Sequence, residues 1–201
     1  MPQKDKVRDL IIESARELFG RYGFKKTTMD DIAQHARKGK SSLYYYFKSK
    51  EEVFEAVVEE EVVLLTKVLK RKINPADPAE KQLKDYVITR MKTIQKLTNM
   101  YAILRNDHMV DYDFIYHLRE KYHKEEIRAV EIIMRKGIRR GRFRNIESHF
   151  GAVAFVTAMK GLERPLFEHK STRSLQARAE SLMNIMFFGL VHENIKEKPT
   201  I

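Results

Sequence analysis

The 201-residue sequence predicts an all-α fold of about nine helices. Apolar residues recur at intervals near 3.6 along most of the chain, and the few glycines and prolines, 8 and 5, fall between those periodic stretches. No alternating apolar and polar run bounded by turn residues reads as a strand. With 43% apolar residues the chain is long and greasy enough to bury a core.

Each element has its own warrant. Val7, Ile11, Ala15, Leu18, Phe19 and Tyr22 share one face of an amphipathic helix over 5–22, and Gly23 stands where a left-handed residue would end it. Thr28 has the chemistry of an N-cap, with Asp31 three positions on, where a carboxylate meets the positive end of the helix dipole. Ile32, Ala33 and Ala36 give this second helix its buried stripe. A glycine turn at Gly39 leads into a third, two-turn helix over 40–47. Ser49-Lys50-Glu51-Glu52 spells a capping box: the Ser49 hydroxyl takes the Glu52 amide and the Glu52 carboxylate returns to the Ser49 amide.

The long helix that follows carries Phe54, Val57, Val58, Glu61, Leu65, Val68 and Leu69 along one side and ends before Asn74-Pro75. Asp77-Pro78-Ala79-Glu80 opens the next, with Asp77 as cap and Pro78 at the first helical position. Leu83, Val87, Met91, Ile94, Leu97 and Tyr101 form its stripe, and 99–112 is less regular. Residues 113–140 read as one helix broken at Gly141. The last two helices, about 146–167 and 173–194, are apolar on nearly all faces, which demands burial on several sides. The only obvious linker, 73–78, joins two helices, and the chain divides at about residue 50 into a small domain, 1–50, and a larger one, 51–201.

Charge is uneven. Residues 1–50 carry +6 of the net +11. A basic excess suits a polyanion, because neutralising phosphates releases counterions. Without cysteine neither a disulfide nor a thiolate metal site can form, as in a reducing cytosol. No apolar run is long enough to cross a bilayer, so a cytoplasmic protein without a membrane partner is expected.

The chemistry concentrates at 28–50, with a helix-turn-helix over about 28–47. At 100° per residue Leu43 and Phe47 face inward, while Lys40, Ser41, Tyr44 and Tyr45 cluster on another side. Lysine, serine and tyrosine suit phosphate oxygens and base edges, and a two-turn helix is long enough to enter a major groove. Arg37, Lys38, Lys40, Lys48 and Lys50 surround it with positive charge. Three consecutive tyrosines cannot all point inward; Tyr46, nearest the Leu43 side, is the one that could be core.

Residues 7–55 resemble the DNA-binding domain of the TetR family of transcriptional regulators. The matching residues are Ile12, Ala15, Leu18-Phe19, Gly23 and Thr27-Thr28, then Ile32-Ala33 and Ala36, then Leu43-Tyr44-Tyr45-Tyr46-Phe47-Lys48-Ser49-Lys50-Glu51. The resemblance implies that Thr28 meets a phosphate, that Lys40, Ser41, Ser42 and Tyr45 sit at or near base edges, and that Tyr44, Lys48 and Lys50 hold the backbone. The chain departs from the family at Arg37-Lys38-Gly39, where Gly-Val-Ser is usual.

Beyond residue 55 the resemblance is one of layout, with Gly137-Ile138-Arg139-Arg140-Gly141-Arg142-Phe143 similar to the family's break before its eighth helix. It implies a ligand-responsive repressor that binds a double-stranded, pseudo-palindromic operator as a homodimer and answers to a small-molecule effector. Candidate pocket residues are Met91, Ile94, Tyr101, Arg105, His108, Phe114, His117, Phe155 and Met159, each apolar one being equally a core residue. Candidate dimer contacts are Val153, Val156, Leu182, Met186, Phe187 and Leu190. No cofactor is expected. Asp113, His117 and Glu120 lie at helical spacing but lack a His-x-x-x-His partner, so they argue weakly for a metal. The cations from Arg135 to Arg144 fit a solvated helix end. No glycine-rich phosphate loop or nucleophile elbow supports an enzyme. The alternative is a sequence-indifferent, nucleoid or division-type DNA-binding protein of the same fold.

Overall fold

The computed structural model describes residues 3–97, 113–168 and 175–188. Among them lie eight helices and no strand: α1 (Gln3–Tyr22), α2 (Met29–His35), α3 (Lys40–Tyr46), α4 (Lys50–Lys72), α5 (Ala79–Ile94), α6 (Asp113–Arg139), α7 (Ser148–Glu168) and α8 (Leu175–Phe188). The expected all-α architecture is what the chain adopts.

The helix ends follow local chemistry, with two corrections. Gly23 closes α1 at φ +81°, its amide donating to the Phe19 carbonyl at 2.9 Å. Thr28 and Asp31 form a complete capping box on α2, each backbone amide bonded by the other's side chain. At α4 only half of the expected box forms. The Ser49 hydroxyl accepts from the Glu52 amide at 3.2 Å, but the Glu52 carboxylate takes the Lys48 amide at 2.8 Å, one residue earlier than expected. At α5 the cap is Pro78, not Asp77. The Asp77 carbonyl instead accepts from the buried Gln82 amide at 2.7 Å and from Lys136 Nζ at 3.1 Å, which ties the 73–78 connection to α5 and α6.

Three apolar clusters hold the helices together. The first joins α1, α2, α3 and the N-terminal half of α4 around Ile11, Ile12, Ile32, Leu43, Phe47, Phe54 and Val57. Each such burial contributes about 1.5–3 kcal/mol. This cluster runs past residue 50 to Val58 and takes in Leu118, with Phe114 packed on it. Phe19, Phe24, Phe54 and Phe114 make an aromatic knot with ring centroids 5.1–6.1 Å apart, edge-on or tilted. The second cluster packs α5, α6, α7 and α8 around Leu83, Val87, Met91, Val130, Val156, Met159 and Met183. Leu65, Ile94 and Leu97 form a third, small one.

The turn between α6 and α7 depends on a bare backbone. Phe143 folds back on Gly137, whose carbonyl accepts from the amides of Arg142 and Phe143, and a Cβ at 137 would lie inside the Phe143 ring. Arg135 bonds Glu131, Arg142 pairs with Glu80, and Lys136 reaches the Pro75 carbonyl. Arg142 and Lys136 thus tie the end of α6 to α5 and to the connection before it, while Arg135 is bonded within α6. No described helix is long and apolar enough to cross a membrane.

Candidate nucleic-acid interface

The helix-turn-helix is built from α2 and α3 on a floor of α1 and α4. Leu43 and Phe47 point inward, 0% and 4% exposed, which fixes the opposite side of α3 outward. Tyr44 and Tyr45 are 51% and 66% exposed, whereas Tyr46 is half-buried against the N-terminal core. Ser41 and Lys48 are exposed and Ser42 is half-buried.

Four members of the set have intramolecular engagements. The Thr28 hydroxyl accepts from the Asp31 amide at 3.1 Å and donates to the Asp31 carboxylate at 2.7 Å, and that donation, with the one from the Thr28 amide at 2.8 Å, holds the carboxyl below the usual range. Lys40 Nζ lies 2.5 Å from the Asp30 carboxylate, whose hydrogen bond and charge raise the lysine's pKa. Lys50 turns away from the surface: its ammonium donates to the Phe24 carbonyl at 2.9 Å and sits 4.3 Å from the centre of the Phe24 ring. Tyr45 stands edge-on to Tyr46 at 5.1 Å. Asp30 went unnoticed in the sequence because it meets Lys40 only across the turn.

The turn itself is unusual. Its left-handed residue is Arg37, at φ +51°, and not the glycine two positions on. The Lys38 amide donates to the Ala33 carbonyl at 2.9 Å, a helix ending of the Schellman kind that ordinarily places glycine at the left-handed position. Gly39 caps α3 with φ −70° and ψ 153°, a conformation open to any residue, and offers no side-chain bond.

A cavity of about 460 Å3 lies in the larger domain between α4, α5 and α6. Its walls include Val62, Leu65, Thr66, Leu69, Lys70, Ile73, Tyr86, Tyr122, Glu125, Glu126, Arg128, Ala129 and Ile133. Of the described candidate pocket residues none lines it. Met91, Phe155 and Met159 are consumed by the second core and Ile94 by the small cluster with Leu65. Phe114 is taken by the aromatic knot under the helix-turn-helix. His117 is exposed, its ring 5.8 Å from that of Tyr116. Tyr101, Arg105 and His108 lie outside the described residues. Periodicity marks an inward face; it does not say which inward residues border empty space. The Asp113 side chain is also outside the described set, and among the described residues no three histidines or carboxylates gather as a metal site would require.

The candidate dimer residues are placed largely on the inward side of their helices. Val156 is fully buried in the second core, and Val153, Met186 and Phe187 are half-buried against it, because that side of each helix faces α5 and α6. The side chain of Leu182 and all of Leu190 lie outside the described residues. The outward side carries Phe150, 69% exposed, and Phe188, 80% exposed, with Ile185 beside them at 47%.

Comparison with known proteins follows this geometry. Residues 11–57, the three small helices and the start of α4, match the family model described as bacterial regulatory proteins of the tetR family. A transcriptional regulator from Cytophaga hutchinsonii is 28% identical, with a TM-score of 0.72 over 89% of this chain and 95% of that one. A TetR/AcrR regulator from Thermobifida fusca shares the fold at 20% identity, TM-score 0.73, over 92% of this chain and 98% of that one. So does the Bacillus subtilis regulator FadR, solved in complex with stearoyl-CoA, at 16% identity and TM-score 0.70 over 91% of this chain and 99% of that one. No curated protein matches the chain in sequence. Residues 11–57 thus form a helix-turn-helix DNA-binding domain of the TetR family, in a chain whose fold over about nine-tenths of its length is shared with TetR/AcrR transcriptional regulators.

Proposed function

We propose that the protein is a homodimeric, effector-responsive repressor acting in the bacterial cytoplasm. Two reading heads take the half-sites of a pseudo-palindromic operator about one helical turn apart, roughly 34–36 Å, and a small molecule in the larger domain releases them. Ser41, Tyr44, Tyr45 and Lys48 form the outward reading set, joined by Ser42 and by Lys40 once it leaves Asp30. Thr28 and Lys50 act by fixing α2 and the loop before it, so that their contribution to DNA binding is positional. The division near residue 50 separates reading from sensing and pairing.

The observation that carries this reading is that α4 belongs to two structures at once. Its N-terminal half, from Val53 to Val58, is core to the reading head, while Leu65, Thr66, Leu69 and Lys70 wall the cavity. Helix α6 does the same, with Phe114 and Leu118 under the head and Tyr122, Ala129 and Ile133 at the cavity. A ligand that spreads these helices cannot leave the head where it was, because packed cores do not deform continuously. The stearoyl-CoA held by the Bacillus subtilis protein supports a small-molecule effector for this fold. Pairing through α7 and α8 would cover Phe150, Ile185 and Phe188, which a monomer would leave in water.

Operator selection followed by fluorescence anisotropy tests the reading. A selected duplex should bind well over 10³-fold tighter than random DNA, and a bound effector should weaken it by ~5–150-fold, the reach of 1–3 kcal/mol of coupling. Equal affinity for selected and random duplexes would leave only the sequence-indifferent alternative. Sedimentation velocity tests pairing: Phe150→Glu with Phe188→Glu should give monomers, and a dimer that survives both changes pairs elsewhere.

A further inference from the structure

The end of the molecule opposite the reading head carries a second concentration of positive charge. Helices α4 and α6 run parallel away from the head: Phe54 packs on Phe114, Glu59 accepts from Lys121 at 2.7 Å, and the Pro75 carbonyl accepts from Lys136. Arg71 lies seventeen residues beyond Phe54 on α4, and Arg139 twenty-one beyond Leu118 on α6. At about 1.5 Å of rise per residue they stand about 25 and about 30 Å from the apolar core of the head. The 73–78 connection joins the two helix ends, since its carbonyls hold Lys136 and Ile73 packs on the same cluster as Phe143.

The carboxylates around this end are already engaged. Asp77 is paired by Lys81, Glu80 by Arg142 and Glu131 by Arg135, and Glu147 accepts from the backbone amides of His149 and Phe150 at the start of α7. Lys67, Arg71 and Lys72 on α4, with Arg139, Arg140 and Arg144 at and beyond the end of α6, are exposed and have no ion-pair partner among the described residues. A helix C-terminus favours a cation in its last turn, but Lys67 precedes that turn of α4, and Arg140 and Arg144 lie past α6. Lys67 and Arg71, four apart, share one face. Between Leu65 and Pro78, and between Ile133 and Asn145, no large apolar side chain is exposed. A lipid layer would need one to insert, and a protein partner would need one as an anchor.

From this arrangement we infer that the far end is a second, sequence-indifferent docking surface for duplex DNA. A protein that holds its operator with α3 holds another segment of duplex with the ends of α4 and α6. The inference rests on α3 being the operator reader and is independent of the cavity and its effector. Lysine and arginine meet phosphate oxygens and release counterions, and with no helix projecting from this end they read no bases. Around an operator-bound protein, neighbouring DNA of the same molecule is the polyanion at high effective concentration. Each phosphate neutralised adds about −0.9 to the salt slope, so six cations give about −5.

A capture assay with the full-length protein tests this. A selected operator duplex is tethered to beads, saturated with protein and washed, and a fluorescent random duplex is then offered. The wild-type protein should retain the second duplex, with a loss of about 10³-fold in affinity between 50 and 200 mM salt. Lys67→Gln, Arg71→Gln, Arg139→Gln and Arg140→Gln together should weaken retention at least tenfold and flatten its salt slope by about three to four, while operator affinity in free solution changes less than twofold. Arg71→Lys with Arg139→Lys and Arg140→Lys should keep retention, because a point charge suffices for a phosphate; melting curves of both variants report folding. No retention by the wild-type protein overturns the inference. Retention that ignores the glutamine set means that the two heads of a dimer seize the two duplexes, and a parallel loss of operator affinity means that these cations flank the operator itself; either result also overturns it. Binding to phosphatidylglycerol vesicles without retention of duplex replaces DNA by a lipid surface. If selection yields no preferred duplex, the repressor reading fails, and the same capture with random duplex on the beads still decides this one.

Discussion

Replacing Arg37 by glycine should make the protein more stable and a poorer DNA binder. Arg37 holds φ at +51°, a region where a side chain crowds the following carbonyl at a cost of about 1–2 kcal/mol. Glycine removes that crowding but loses more chain entropy on folding, about 0.4–1 kcal/mol. The net is a gain of about 0.5–1 kcal/mol, or ~1–4 °C in Tm for a chain of this size. The Arg37 side chain is exposed and has no ion-pair partner among the described residues, so its charge is available to a phosphate. Its removal should flatten the dependence of log affinity on log salt by about one. Asparagine separates the two effects, since it tolerates the left-handed region and carries no charge: Arg37→Asn should lose the salt slope and recover part of the stability. Scanning calorimetry and anisotropy between 50 and 200 mM salt read the two outcomes. If Arg37→Gly lowers Tm, the turn is not strained as described. If the salt slope is unchanged, the charge is not spent on DNA.

Other substitutions follow from the same geometry. Asp30→Asn should free Lys40, tighten binding to any duplex and steepen the salt slope by up to one, with no gain if the pair persists on DNA. Tyr45→Ala should change which sequences are selected, while Lys48→Ala should weaken all of them alike and flatten the salt slope, as competitive selection would reveal. Phe114→Ala opens the aromatic knot and should cost up to about 3 kcal/mol of urea stability, Phe114 being only half-buried; effector should then release operator less, and undiminished release would exclude α6 as a carrier. His123 is held below its ordinary pKa by burial and then by Lys160. Its neutral form is therefore favoured in the fold, and stability is lost as pH falls below about 6.5, the unfolded value. His123→Gln should make that acid limb shallower in urea melts at pH 7.5 and 5.5.

The reading head was legible because its signals are local. Caps, the Gly23 stop and the Leu43/Phe47 stripe act within one or two turns of helix, where residue spacing and spatial neighbourhood coincide. The same locality explains the near misses. The Glu52 carboxylate can reach either of two adjacent amides, and at Asp77-Pro78 the helix begins one residue later than the acid that could cap it. Lys50 read as a phosphate contact because its partner, Phe24, lies 26 residues away.

By itself the amino-acid sequence determined the all-α class, the order of the helices and the side of α3 that faces outward, since each depends on interactions between residues a few positions apart. Only the tertiary structure decided where the cavity lies, that Phe114 belongs to the reading head, that Val156 faces the molecule's own core, and that Arg37 and not Gly39 makes the left-handed turn. Apolar periodicity specifies that a side chain leaves water. Whether it then meets a neighbouring helix, an empty slot or a second subunit depends on packing between elements far apart in the chain, which no local spacing records.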